Sequence, residues 1–141
     1  MANMPKPPLE TYRPPTAIKL ALLWATLVFL YIYNDYFSLY LPGTIADMMA
    51  GRMGPLGPAS PQVLVGVSMM LAIPSLMIFL SVAMPALVSR WLNVLFGVAY
   101  TGIEVMTFVG SPPFYQIVVG FEIFATLSII WFALKWPRAA S

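Results

Sequence analysis

The chain contains neither cysteine nor histidine. Without cysteine there is no disulfide, no thiolate nucleophile and no iron–sulfur ligand. Without histidine the commonest general base, the commonest axial ligand of haem-type pigments and the commonest zinc ligand are all missing. Charge is scarce too. Asp, Glu, Lys and Arg together make up 9% of 141 residues, against about 25% in an ordinary soluble domain. The net charge of +2 is small and scattered, which leaves nucleic-acid binding without the basic patch it needs. No catalytic residue, metal ligand set, cofactor or enzyme activity is therefore expected.

What fills the chain instead is apolar: 60% of residues are hydrophobic and the mean hydropathy is +0.85. Four runs are long enough to span a bilayer, at roughly 17–40, 61–84, 90–109 and 114–136. Each has about 20–24 residues, or about 30–36 Å as a helix, which matches the hydrocarbon core. Helices satisfy their own backbone polar groups there, as open strands do not. Proline and glycine punctuate the runs. Pro14 and Pro15 open the first; Ser60 and Pro61 supply an N-cap and a first helical position for the second. Pro85 stops the second, Gly110 to Pro113 separate the third from the fourth, and Pro137 follows the fourth. The expected fold is all-α: a polytopic four-helix transmembrane bundle over 17–136, between a proline-rich tail at 1–16 and a short tail at 137–141. The first span is too long for a cleavable signal sequence and lacks a small-residue exit, so none is expected.

Basic residues set the orientation. Lys6, Arg13, Lys19, Arg90, Lys135 and Arg138 fall on one side and Arg52 alone on the other. The positive-inside rule puts both termini in the cytoplasm. Trp24, Trp91, Trp131 and Trp136 all lie near that same side, as an interfacial aromatic belt would.

Against this background three acids stand out: Asp35, Glu104 and Glu122, each on a different span with no lysine or arginine placed to neutralise it. An intramembrane acid faces the bundle interior by default and marks a functional site. Counting from the outer span ends at 1.5 Å per residue gives depths of about 8, 9 and 12 Å, one layer of the outer leaflet. Ser68 on the second span lies at a similar depth. Asn34, Tyr100 and Thr107 share the acid faces at helical spacing. The expected site is thus Asp35, Glu104, Glu122, Asn34, Ser68, Tyr100 and Thr107, binding a proton or another small ligand. Pro74 adds a further polar group, since it leaves the carbonyl of Met70 without its helical donor. The competing reading is that these groups are interhelix glue, worth about 0.6 kcal/mol each and up to about 2.

Two other features are weaker. The outer loop, 41–60, holds a short amphipathic helix at 44–50, with Thr44 as cap and Gly51 as terminator. It rests on the membrane surface or lids the acid layer. Met70, Met77 and Met84 recur every seven residues, a stripe that packs inside the bundle or faces another protein.

The run from Leu22 to Asp35 (LLWATLVFLYIYND), Ile73-Pro74 in the second span, Arg90-Trp91-Leu92-Asn93 and Glu122 together resemble a family of small bacterial four-span proteins, DoxX-like in layout. The resemblance covers most of 17–136. It implies a four-helix bundle in a bacterial inner membrane and brings no activity with it. The link of DoxX to a quinol oxidase implies an accessory role in an energy-converting membrane complex. Three functions compete. First stands a non-enzymatic accessory subunit of a larger complex of respiratory or photosynthetic type, with a membrane-protein partner or a second copy beside the lipid bilayer. Next is a small proton- or cation-coupled carrier, which resembles small multidrug transporters in span number and in an acid on the first span. Last is an intramembrane enzyme acting on a lipid, which the missing histidine disfavours.

Overall fold

Four apolar helices of 22 or 23 residues and one short helix account for most of the computed structural model, which describes residues 8–138. The first seven residues of the expected tail 1–16, and residues 139–141, lie outside the described residues. In chain order the helices are α1 (Thr16–Ser38), α2 (Thr44–Met49), α3 (Pro61–Ala83), α4 (Ala86–Phe108) and α5 (Pro113–Leu134), with a single 3₁₀ turn at Gly54–Leu56. Among the described residues there is no strand, only an isolated bridge between Arg52 and Pro58. The fold is the expected all-α bundle.

The helix ends follow local chemistry. The Ser60 Oγ accepts the backbone N–H of Val63 at 3.3 Å, and Pro61 occupies the first helical position of α3, as expected. α4 begins at Ala86, earlier than the expected 90. Pro85 is the reason: with φ −54° and ψ 145° it ends α3 and serves as the N-cap residue of α4. α1 stops at Ser38 rather than 40, because Leu39, Tyr40 and Leu41 each donate to the carbonyl three residues back and tighten the chain into turns. α5 ends at Leu134 rather than 136, and the Arg90 guanidinium donates to the carbonyl of Leu134 at 3.2 Å. The cap of α2 differs from expectation too. Gly43, at φ 87°, holds the N-cap position, while Thr44 is already helical and makes no side-chain cap. The C-terminal expectation holds. Gly51 at φ 68° lets its own N–H reach the Met48 carbonyl and that of Arg52 reach Asp47, a complete Schellman closure.

α1 packs on α3 and α5, and α4 packs on α5 and α3, so the four long helices form a ring with α1 diagonal to α4. The links are short apart from 41–60, which makes sequential neighbours antiparallel. α4 and α5 approach closely at Gly97, where an added Cβ would lie 2.8 Å from Ile130 Cγ1. Small residues permit such contacts between membrane helices.

The distribution of polarity is inverted relative to a soluble bundle. Asn34, Ser81, Ser89, Asn93, Glu104, Glu122 and Thr126 are buried, while Phe29, Leu64, Phe79, Leu95, Phe121 and Phe124 point outward. All four long helices are apolar enough to cross a bilayer. The protein is a multi-pass membrane protein embedded in lipid.

The methionine stripe divides: Met77 is 1% exposed and sits in the core with Trp24, Leu27 and Ile129, while Met70 and Met84 are exposed. Met77 shares the face of Pro74 and Ser81, which is the face α3 buries. One expectation fails in the interior: Trp24 is no belt residue. It is fully buried, and its indole N–H donates to Asn93 Oδ1 at 2.7 Å. The Asn93 amide in turn donates to the Ser89 carbonyl at 2.8 Å and to Ser81 Oγ at 3.2 Å. Ser89 Oγ donates to the Ser81 carbonyl at 2.9 Å. This node ties α1, α3 and α4 together near the ends that carry the chain termini, with every side-chain polar atom paired.

Candidate functional site

The acids lie toward the opposite end, beside the 41–60 loop. Helical spacing brings their partners to them. On α1, Tyr31 and Asn34 sit three residues apart and face α4 and α5. On α5, the buried stripe Val119, Glu122, Thr126 and Ile129 recurs at intervals of three and four. On α4 the corresponding stripe is Ser89, Asn93, Gly97, Tyr100 and Glu104.

Glu104 is held on both oxygens. The Tyr31 hydroxyl donates to Oε1 at 2.6 Å, and the Thr126 hydroxyl donates to Oε2 at 2.8 Å. Thr101 Oγ1 lies 2.9 Å from Thr126 Oγ1 and buttresses it. Three helices therefore fix this carboxyl, which is 2% exposed. Glu122 is as buried, at 3%, but far less satisfied. Among the described residues its carboxyl takes one side-chain hydrogen bond, a long 3.4 Å one from the Asn34 amide to Oε1. Asn34 is itself 2% exposed, and its Oδ1 has no partner. Buried polar atoms are nearly always paired, so an orphaned amide oxygen calls for a donor or a cation.

Beside these two groups is a cavity of about 60 Å³ that all four long helices line. α1 contributes Tyr31, Asn34 and Asp35; α3 contributes Met70 and Leu71; α4 contributes Glu104 and Thr107; α5 contributes Tyr115 and Glu122. At roughly 10–15 Å³ of such volume per water it has room for a few waters or one small ion. Among the described residues no basic side chain lines it. The nearest basic residue in sequence to the loop end, Arg52, is engaged in an exposed ion pair with Asp47. No group of three or more acidic side chains converges closely enough to hold a metal ion among the described residues.

The expected site residues divide. Glu104, Glu122, Asn34 and Thr107 meet at the cavity, though the Thr107 hydroxyl donates back to the Ile103 carbonyl of its own helix at 2.9 Å. Asp35 lines the cavity but is exposed rather than inward-facing. Its neighbour Asn34 takes the inward position, and one residue along a helix is a turn of about 100°. Ser68 is exposed and outside the cavity; it lies about 120° around α3 from the buried Pro74. Tyr100 is buried yet serves the scaffold. Its hydroxyl donates at 2.7 Å to the Met70 carbonyl, the group that Pro74 deprives of a helical donor. Sequence reasoning missed Tyr31 as the partner of Glu104 and missed Tyr115 altogether, although Tyr115 stands seven residues before Glu122, two turns away on the same face. No residue of 41–60 lines the cavity.

Searches of curated proteins and of solved structures find no match. Residues 14–141 match the model of a family of unknown function, DUF6326. That match takes in all four long helices and every residue of the acid cavity, and the chain belongs to this family.

Proposed function

We propose that the protein is a small, non-enzymatic proton- or cation-coupled membrane carrier whose working site is the acid cavity. The observation that supports this reading is the orphaned Asn34 Oδ1 beside an under-satisfied Glu122, at a cavity shared by all four helices. Simple interhelix glue would pair these groups with one another, as the Asn93 node does. Size argues for the nature of the cargo. Sites for drug-sized or lipid-like molecules occupy about 300–1,000 Å³, several times the roughly 60 Å³ here, which disfavours both a multidrug substrate and an enzyme acting on a lipid. In this reading the termini face the cytoplasm of a bacterial inner membrane, in keeping with the DoxX-like layout. Lys19 over Phe132, Arg90 over Trp91 and Lys135 over Trp131, at 5.3, 5.3 and 4.2 Å, form a basic aromatic rim at the terminal end that suits an anionic inner leaflet.

The reading is tested in proteoliposomes with a trapped pH dye. Wild-type protein dissipates an imposed proton or cation gradient; Glu122→Gln abolishes the flux, since it keeps the shape and loses the exchangeable group, and Glu104→Gln lowers it, since it disturbs the carboxyl that Tyr31 and Thr126 hold at the cavity wall. Equal flux in wild type and both variants would refute it.

One observation favours a second reading, an accessory subunit of a larger respiratory or photosynthetic type of complex, or a homo-oligomer. Tyr36, Phe37 and Tyr40 cluster with ring centroids 5.3–6.5 Å apart and are all exposed. A partner helix would cover them. Co-purification from native membranes in mild detergent, lost on replacing the three rings by leucine, would favour this reading over the carrier.

A further inference from the structure

We propose that the cavity binds one monovalent cation in exchange for a proton, with the Glu122 carboxylate and Asn34 Oδ1 as direct ligands. The inference rests on the carrier reading and names the ion that its site takes.

Three features specify the ligand. The first is polarity: Asn34 Oδ1 is a buried acceptor without a donor, and Glu122 receives only a single long hydrogen bond. Both point to a ligand that is positive or donates. The second is charge. Burying an uncompensated carboxylate is costly, and it is relieved by a proton or a cation. No basic side chain among the described residues lines this cavity, so the compensating charge comes from outside the chain. The third is stoichiometry. Divalent ions favour several carboxylates, with six or more oxygens for calcium. Here no three acidic side chains converge to that degree among the described residues, and both oxygens of Glu104 are already occupied by Tyr31 and Thr126. One free carboxylate and one neutral oxygen match a single positive charge. Cavity size agrees, since about 60 Å³ admits a sodium or potassium ion with a little water and excludes larger organic cations.

The roles of the acids then separate. Glu122 is the exchanging group, losing its proton when the cation binds and regaining it when the cation leaves. Glu104 is a positioning residue that fixes the wall opposite. Asp35, exposed on α1 at the cavity, draws cations toward it. The titratable groups facing Glu122 are Tyr31 and Asp35 from α1, Glu104 from α4 and Tyr115 from its own helix; α3 presents only Met70 and Leu71. Because protons and cations compete for one carboxylate, cation binding weakens as pH falls.

Thermal unfolding of the purified full chain in detergent tests this, with sodium, potassium or lithium chloride against choline chloride at equal ionic strength. Choline holds the ionic strength but does not fit. At an alkali-ion concentration about a hundred times Kd, Tm of the wild type rises by roughly 5–10 °C over choline. The rise disappears in Glu122→Gln and in Asn34→Leu, shrinks as pH is lowered, and persists in Ser68→Ala, whose side chain is outside the cavity. Two independent variants keep the test decisive if one fails to fold. No difference between alkali ions and choline in the wild type, or an undiminished rise in both cavity variants, overturns the assignment. A wild type that carries protons in vesicles yet shows no alkali-ion response loses this inference and keeps the carrier reading; one that shows neither loses both.

Discussion

Glu104 and Glu122 illustrate how two similarly buried acids acquire different duties from their immediate neighbours. Glu104 receives two hydroxyl donors, one on each oxygen, and behaves as part of the framework. Removing one of them, in Tyr31→Phe, leaves a buried acceptor short of a partner, a loss on the order of 1–3 kcal/mol. Asn93→Ala is expected to destabilise by a comparable amount, because it strands the Trp24 indole and the Ser81 hydroxyl. The two variants diverge in function. Asn93→Ala retains gradient-driven flux in vesicles, whereas Tyr31→Phe reduces it, since Tyr31 both holds Glu104 and lines the cavity. Thermal unfolding and flux measured on the same preparations check both halves of this expectation. The depth of the acids was legible from counting along each span, because rise per residue is fixed. Their azimuth was not. Asn34 and Asp35 are adjacent, and only packing of α1 against α5 decides that the amide turns inward and the acid does not.

At the scale of elements, α3 shows a broken helix repaired from outside. Pro74 removes the donor to the Met70 carbonyl, and the Tyr100 hydroxyl from α4 replaces it at 2.7 Å. The orphaned carbonyl was readable from proline chemistry. Its partner was not, because a tyrosine hydroxyl can reach any of several acceptors and only the pairing of α3 with α4 selects one. A double-mutant cycle isolates this repair. Tyr100→Phe is expected to destabilise the wild type by about 1–3 kcal/mol. In a Pro74→Ala background, where residue 74 supplies its own N–H, the same change should cost less. The difference is a coupling of about 0.5–3 kcal/mol; additive effects would mean that the hydroxyl serves some other purpose. Helix existence was the most legible feature of all, since hydrophobic runs and proline boundaries define it. Boundaries moved only where one residue did two jobs, as Pro85 does, or where the last turn tightened, as after Ser38. Trp24 was misread for a related reason: nearness to a span end suggested an interfacial belt, while its position on the helix turned it into the core beside Asn93.

Across the whole molecule, the two polar layers inside an apolar shell divide the labour. The Trp24–Asn93–Ser81–Ser89 node near the termini is closed, with its side-chain polar atoms paired; the layer near the loop is open and short of a donor. If the termini are cytoplasmic, single cysteines introduced at Ala59 and Ala139 should label asymmetrically in intact cells. An impermeant reagent reaches Ala59→Cys and misses Ala139→Cys; the reverse pattern inverts the orientation and makes the acid cavity face the cytoplasm. The central claim is that Glu122 exchanges its proton within the membrane domain. Infrared difference spectroscopy of bilayer-reconstituted protein, acidic minus alkaline, tests this most directly. The account predicts a protonated-carboxyl band that is lost in Glu122→Gln and weakened by sodium added at fixed pH. An unchanged carboxyl band in Glu122→Gln, insensitive to any alkali ion, would contradict it.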